Sequence, residues 1–218
     1  MITLYHCDGT RSFRPLWMLE EMGLPYELKM LPFPPRVLAK EYLAINPLGT
    51  IPFMVDGETK MTESSGICYY LGTKYGPSPL VVGPDDPAYG AFLNWMYFSD
   101  ATLTFPQTLV LRYSQLEPEE RRNPQVVDDY TKWFLGRLRA VDAAAANSEF
   151  LCAGRFTAAD IVNGLALRVA SNIGLAKHFG PNVAAYWARL QERDGYQRAV
   201  AAERKAGVEQ NVAPRIRA

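Results

Sequence analysis

The chain has 218 residues, 48% of them hydrophobic and 21% charged, with 23 basic and 23 acidic groups. This excludes a disordered tail and a fibrous repeat, and it suffices for one large domain or two smaller ones. The charge balance argues against nucleic-acid binding through a bulk positive field. No apolar stretch is long enough to span a bilayer, and Met1-Ile-Thr-Leu-Tyr-His lacks the charged start and apolar core of a secretory signal.

Ile2 to Cys7 is a predicted strand. Ser12 to Met22 follows as a helix, with Ser12 placed to cap it and Gly23 and Pro25 to stop it. Tyr26 to Leu31 alternates as a second strand. A β-α-β unit this short implies parallel strands joined by a right-handed crossover. Arg36 to Leu43 is weakly helical. Ile51 to Asp56 and Glu58 to Thr62 flank an Asp56-Gly57 turn, which signals a hairpin. A helix from Ser64 or Ser65 to Tyr75 places Ile67, Tyr70, Leu71 and Tyr75 on one face.

The Pro- and Gly-rich run from Gly76 to Pro87 marks a division. Residues 1–78 form one domain, 79–87 the linker and 88–218 a second domain. Charge does not draw this line, since residues 1–80 carry 7 basic and 8 acidic groups and residues 85–218 carry 16 and 15. Pattern does. Beyond the linker Tyr89, Phe92, Leu93, Met96 and Tyr97 recur at helical spacing, as do Val127, Tyr130, Phe134, Leu138, Val141 and Ala145. Ile161 to Val169 is apolar almost all round, as suits the centre of a bundle. Val183, Tyr186, Trp187 and Leu190 give a further helix.

Three segments bear on chemistry. In Asn46-Pro-Leu-Gly-Thr-Ile-Pro52 a proline opens the strand. Either it is an ordinary edge proline, or a cis Ile51–Pro52 bond turns the Ile51 main chain outward to receive an extended peptide. Thr62-Glu63-Ser64-Ser65 leads into a helix whose free N–H groups suit a carboxylate, with Ser64 beside it and Glu63 placed for an ammonium; the alternative is a plain cap. Thr10-Arg11-Ser12-Phe13-Arg14 joins the first strand to the first helix, where hydroxyl and N–H donors would lower the pKa of a thiol. Capping accounts for Ser12, whereas Thr10 lies two residues too early to cap. Thr157 and Asp160 form a capping box that serves folding. His6 and His178 lie far apart and receive no catalytic role. Cys7, Cys68 and Cys152 are odd in number and widely spaced, without zinc spacing. They read as small core residues of a reduced, cytoplasmic protein.

The order of these segments resembles the cytosolic glutathione S-transferases over essentially the whole chain: a β-α-β with hydroxyl-Arg-x-x-Arg, then NPxGxIP, then ESxxI opening a helix, then a Pro-rich linker and a helical half with FTAAD. The resemblance implies an α/β thioredoxin-like N-terminal domain and an all-α C-terminal helical bundle. It implies a detoxifying transferase that takes glutathione as co-substrate, needs no metal and forms a homodimer, with no nucleic-acid or membrane partner. Ile51 beside cis-Pro52 would hold the cysteinyl main chain of glutathione, and Glu63 and Ser64 its γ-glutamyl end. Thr50 or Lys40 would meet the glycyl end, and Arg11 belongs to the same binding set.

The reactive position departs from the family pattern. Where tyrosine-using members carry Tyr, this chain has Asp8, and Tyr5 lies too early, inside the strand. The serine of serine-using members corresponds to Thr10, with Ser12 as the reserve donor. Cys7 belongs to the strand, which disfavours a mixed-disulfide route. The implied activity is attack of a glutathione thiolate on a hydrophobic electrophile, with Tyr97, Thr102, Phe105 and Tyr113 as candidates for its pocket. Two alternatives stay open: a glutathione-dependent lyase, dehalogenase, isomerase or ether-cleaving enzyme on the same fold, and a non-catalytic glutathione- or ligand-binding protein.

Overall fold

The alternation of Ile2, Leu4 and His6 against Thr3 and Tyr5 produces the first strand, β1 (Ile2–His6), with its odd-spaced side chains exchanged for even ones between the two faces. A computed structural model describes residues 1–214. β1 lies between β2 (Tyr26–Met30) and β3 (Phe53–Asp56), and β4 (Thr59–Met61) closes the order β2-β1-β3-β4. β1 and β2 are parallel, and Ile2 lies opposite Tyr26. β3 runs antiparallel to β1, and β4 antiparallel to β3, across the turn at Gly57. The mixed sheet with one hairpin is the arrangement expected from the pattern.

α1 (Phe13–Met22) joins β1 to β2 and ends at left-handed Gly23, with the Leu24 N–H donating back to the Leu19 carbonyl. All seven residues from Phe13 to Leu19 are buried because α1 touches β1, α3 (Ser64–Lys74) and α9 (Asp194–Glu209). Between β2 and β3 the weakly helical stretch resolves into α2 (Pro35–Leu38) and a 3₁₀ segment, Lys40–Ala44. On α3 the buried face is Ile67, Cys68 and Leu71. Tyr70 and Tyr75, expected on that face, lie at its flank instead, where both phenols donate to Asp56 Oδ2 at 2.9 and 2.7 Å.

The chain divides into two units. Among the described residues one comprises Met1–Val81 and residues 191–214, the other Val82–Leu190. The expected domain limits differ from this at the C-terminal end, where 88–218 was assigned wholly to the helical domain. α9 belongs to the first unit for a physical reason. Tyr196 packs edge-on against Phe13 and Trp17 at 5.6 and 5.0 Å, and Arg193 grips Glu21 with two hydrogen bonds of 2.8 and 2.9 Å. Past the helix, the Gln210 amide accepts from the Met30 N–H and donates to the Leu28 carbonyl, both at 2.8 Å. It thereby pairs with the exposed edge of β2 as a neighbouring strand would.

The second unit is helical, with α4 (Tyr89–Phe98), α5 (Phe105–Leu111), α6 (Pro124–Ala145), α7 (Ala158–Asn172) and α8 (Pro181–Gln191). α7 is buried almost all round, as its sequence predicts. It starts at a capping box: Ala159 N–H donates to Thr157 Oγ1 and Thr157 N–H to Asp160 Oδ2. Tyr186 and the Leu151 N–H also donate to Asp160, at 2.8 and 2.9 Å. Burial pushes the Asp160 carboxyl up, and these donors pull against it. A π-helical turn, Ser99–Thr104, links α4 to α5.

Candidate functional site

The antiparallel pairing of β3 with β1 sets Phe53 opposite Tyr5, so the loop leaving β1 and the loop entering β3 lie at the same end of the sheet. A third element reaches this end. Arg14, in the first turn of α1 and fully buried, donates from Nη1 to Ser64 Oγ at 2.8 Å, tying α1 to the first residue of α3.

The loop into β3 is held from within. Asn46 Nδ2 donates to the Thr50 carbonyl at 2.9 Å, and the Tyr42 hydroxyl donates to the same oxygen at 2.8 Å. Burial pushes the Tyr42 phenol up to about 12, against the pull of Asn46, so it stays a neutral donor. Gly49 has φ +58, and a Cβ there would meet Arg36 Cβ at 2.7 Å. The Ile51–Pro52 bond is cis. The β1–β3 ladder begins at Phe53, which leaves half-buried Ile51 outside it.

The loop after β1 carries the hydroxyls. Thr10 Oγ1 donates to the Cys7 carbonyl at 2.8 Å and lies 2.8 Å from Ser12 Oγ. Ser12 Oγ accepts from the Cys7 N–H at 3.3 Å and lies 2.7 Å from His6 Nδ1. His6 Nε2 lies 2.9 Å from Glu203 Oε1, and that oxygen also accepts from the Gly9 N–H at 3.1 Å. The expectation that Ser12 caps α1 fails: its side chain makes no capping bond, because its oxygen faces back toward His6 and Cys7. His6, to which the sequence assigns no catalytic role, belongs to this chain of contacts. Its partner Glu203 lies 197 positions away, and nothing local to His6 announces it.

Ser12, His6 and Glu203 follow the order of a nucleophile, base and carboxylate. Accessibility decides against that reading. Ser12 and His6 are 0% exposed, whereas Thr10 retains 8%. The outermost hydroxyl of the chain is therefore Thr10.

The remaining candidates are distributed as follows. Arg11 is half-buried in the hydroxyl loop; Lys40 heads the 3₁₀ segment and is exposed, as are Thr50 and Glu63. Glu63 occupies the N-cap of α3, and Ser64 is its first residue, 4% exposed. In the helical unit Tyr97 stands on α4, 71% exposed, and Thr102 lies half-buried in the π-helical turn. Phe105 opens α5 and packs edge-on against Tyr130 and Trp133 at 6.1 and 6.5 Å. Half-buried Tyr113 lies beneath the Arg112 guanidinium, 5.6 Å from its ring centroid.

All three cysteines are buried. Cys7 directs its thiol at the Pro32 carbonyl, and burial pushes the Cys152 thiol up. Among the described residues no cluster of His, Cys, Asp and Glu suits a metal ion, and no helix is long and apolar enough to cross a membrane.

A four-stranded mixed sheet with hydroxyls after β1, a cis proline before β3 and a buried serine opening α3 defines a thioredoxin-like domain of the transferase class, and comparison with known proteins agrees. Residues 4–79 match the family model described as the glutathione S-transferase N-terminal domain. The chain belongs to the glutathione S-transferase family. It is 31% identical to glutathione S-transferase hmp2 of Hypomyces subiculosus, covering 94% of this chain and 100% of that one. It is 28% identical to glutathione S-transferase GstB of Escherichia coli strain K12, over 92% of this chain and 98% of that one. Among solved structures, the glutathione transferase URE2P6 of Phanerochaete chrysosporium, in complex with oxidized glutathione, superposes with a TM-score of 0.81 at 27% identity, covering 94% and 97% of the two chains.

Proposed function

We propose that this chain binds glutathione at the end of the sheet where these three elements meet, and activates its sulfur as thiolate for attack on a hydrophobic electrophile. The carrying observation is that convergence: the Thr10 loop, the cis Ile51–Pro52 loop and the α3 N-terminus, joined through Arg14 and Ser64. An extended tripeptide needs main-chain partners at its middle and charge partners at its ends. Ile51 beside Pro52 supplies the first. Ser64, at the positive end of an eleven-residue helix, and Glu63 supply the γ-glutamyl end. Thr50, Lys40 and Arg11 serve the remainder.

Thr10 is the donor to the sulfur in this reading, and Ser12 is not. Thr10 Oγ1 holds its proton toward the Cys7 carbonyl at 2.8 Å. Rotation about the C–O bond redirects that proton without moving the oxygen. Each pK unit by which the donor lowers the thiol is worth about 1.4 kcal/mol of thiolate stabilisation. Tyr97, Thr102, Phe105 and Tyr113 are put forward for the electrophile, and family membership supports a homodimer.

The test is Thr10→Ala beside Thr10→Ser. Thr10→Ala is expected to raise the pKa of the bound thiol, read by ultraviolet absorbance, and to lower kcat about 100-fold toward chlorodinitrobenzene. Thr10→Ser should keep most of both. An unchanged thiol pKa and rate in Thr10→Ala would remove Thr10 from the mechanism. Retention on immobilised glutathione without conjugation would favour a binding protein.

A further inference from the structure

We infer that Glu203 and His6 are positioning residues for the sulfur-activating hydroxyl: helix α9, through a buried carboxylate–imidazole–hydroxyl chain, decides which of the two loop hydroxyls is able to donate. This rests on the reading of Thr10 given above.

The argument is a proton count. A carboxylate oxygen only accepts. Glu203 Oε1, 2.9 Å from His6 Nε2, therefore fixes the hydrogen of a neutral imidazole on Nε2. Nδ1 is left as an acceptor and faces Ser12 Oγ at 2.7 Å. The single Ser12 proton is thereby committed to His6. Ser12 Oγ then accepts from the Cys7 N–H at 3.3 Å and has no proton left for Thr10 Oγ1, 2.8 Å away. The Thr10 proton, held toward the Cys7 carbonyl at 2.8 Å and released from it by rotation about the C–O bond, remains as the one this chain can present to a thiolate. Glu203 also binds the Gly9 N–H at 3.1 Å, so one carboxylate oxygen fixes both the ring and the loop backbone next to Thr10. The assembly is sealed, with Ser12 and His6 at 0% exposure and Glu203 at 3%. Buried polar chains of this kind hold geometry tightly when every member is satisfied.

Two variants and one measurement on the unaltered protein test this. Glu203→Gln keeps the shape and one acceptor oxygen but removes the obligate acceptor. His6→Asn keeps a group near Nδ1 and loses the link to Glu203. Each is expected to lower kcat about 10-fold, the common cost of losing an outer partner of a reactive group, with KM for glutathione changed less than about threefold. Each should also raise the pKa of the bound thiol, a quantity that a purely structural role would not move. Unchanged kcat and thiol pKa in folded Glu203→Gln and His6→Asn, with Thr10→Ala impaired, would overturn the inference and leave the Thr10 reading standing. An unimpaired Thr10→Ala would overturn both. Should either variant fail to fold, the ¹⁵N shifts of the His6 ring in the wild-type protein decide. The chain has 2 histidines, so His178→Gln assigns them. A hydrogen on Nε2 and a bare Nδ1 are expected, and the opposite tautomer would overturn the inference.

Discussion

Asp56 shows how one exposed-side carboxylate conditions two tyrosines. It accepts from Tyr70 and Tyr75, and its bond to Tyr75 pushes that phenol up to about 12 from 10.0. A folded-state pKa above the unfolded one adds stability that is complete below pH 10 and disappears as pH rises toward 12. Tyr75→Phe should flatten that part of the alkaline stability profile, measured by urea unfolding at several pH values. Identical slopes for both proteins would count against the bond. Thr10 stood out because it lies too early to cap, and its hydroxyl donates to the Cys7 carbonyl. The direction of the Ser12 hydroxyl was not legible in the sequence, because Ser at a helix start ordinarily caps, and only the distant His6–Glu203 pair turns it away.

Among the elements, α9 carries the greatest consequence. It sits on α1 through Tyr196 and the Arg193–Glu21 pair, and Arg198 adds a bond to the Glu20 carbonyl at 2.6 Å. Gly195 marks the closest approach: a Cβ there would meet Glu21 Cδ at 2.5 Å. The Glu21 carboxylate has little freedom to yield, since Trp17 Nε1 also donates to it at 2.9 Å. Gly195→Ala is expected to destabilise the protein by about 1–3 kcal/mol, seen as a lower urea midpoint. An unchanged midpoint would mean that Glu21 can move aside. The strands, the hairpin, α1 and α3 were legible from apolar spacing and turn residues, with ends within a residue or two, and the middles of α7 and α8 from apolar spacing. The attachment of α9 was not. Its sequence is as amphipathic as that of a bundle helix, and periodicity tells which face is buried but not against what.

In the molecule as a whole, the two units are not successive stretches of chain. The first unit is assembled from Met1–Val81 and residues 191–214, with Val82–Leu190 inserted between them. Residues 1–81 alone therefore expose the apolar face of α1 that Tyr196 covers, leave His6 without Glu203 and leave the β2 edge without Gln210. A fragment of residues 1–81 is expected to lack a cooperative thermal transition, and a sharp transition in calorimetry would contradict this. The family was legible from the order of short motifs along the chain, all but one of which lie in the first unit or at its boundary. The unit itself was not, because its closing segment lies beyond the helical insertion.

That interrupted arrangement has a consequence for synthesis. A ribosome delivers the sheet, the hydroxyl loop and α3 before the helical insertion, and delivers Glu203 after it. At about 5–20 residues per second the nascent sheet waits on the order of ten seconds for α9. The helical insertion emerges whole in that interval and can fold ahead of the part translated before it. The Gly9 N–H and His6 gain their Glu203 partner only when α9 leaves the exit tunnel, so a chain terminated within the helical insertion is released with the loop after β1 lacking that support.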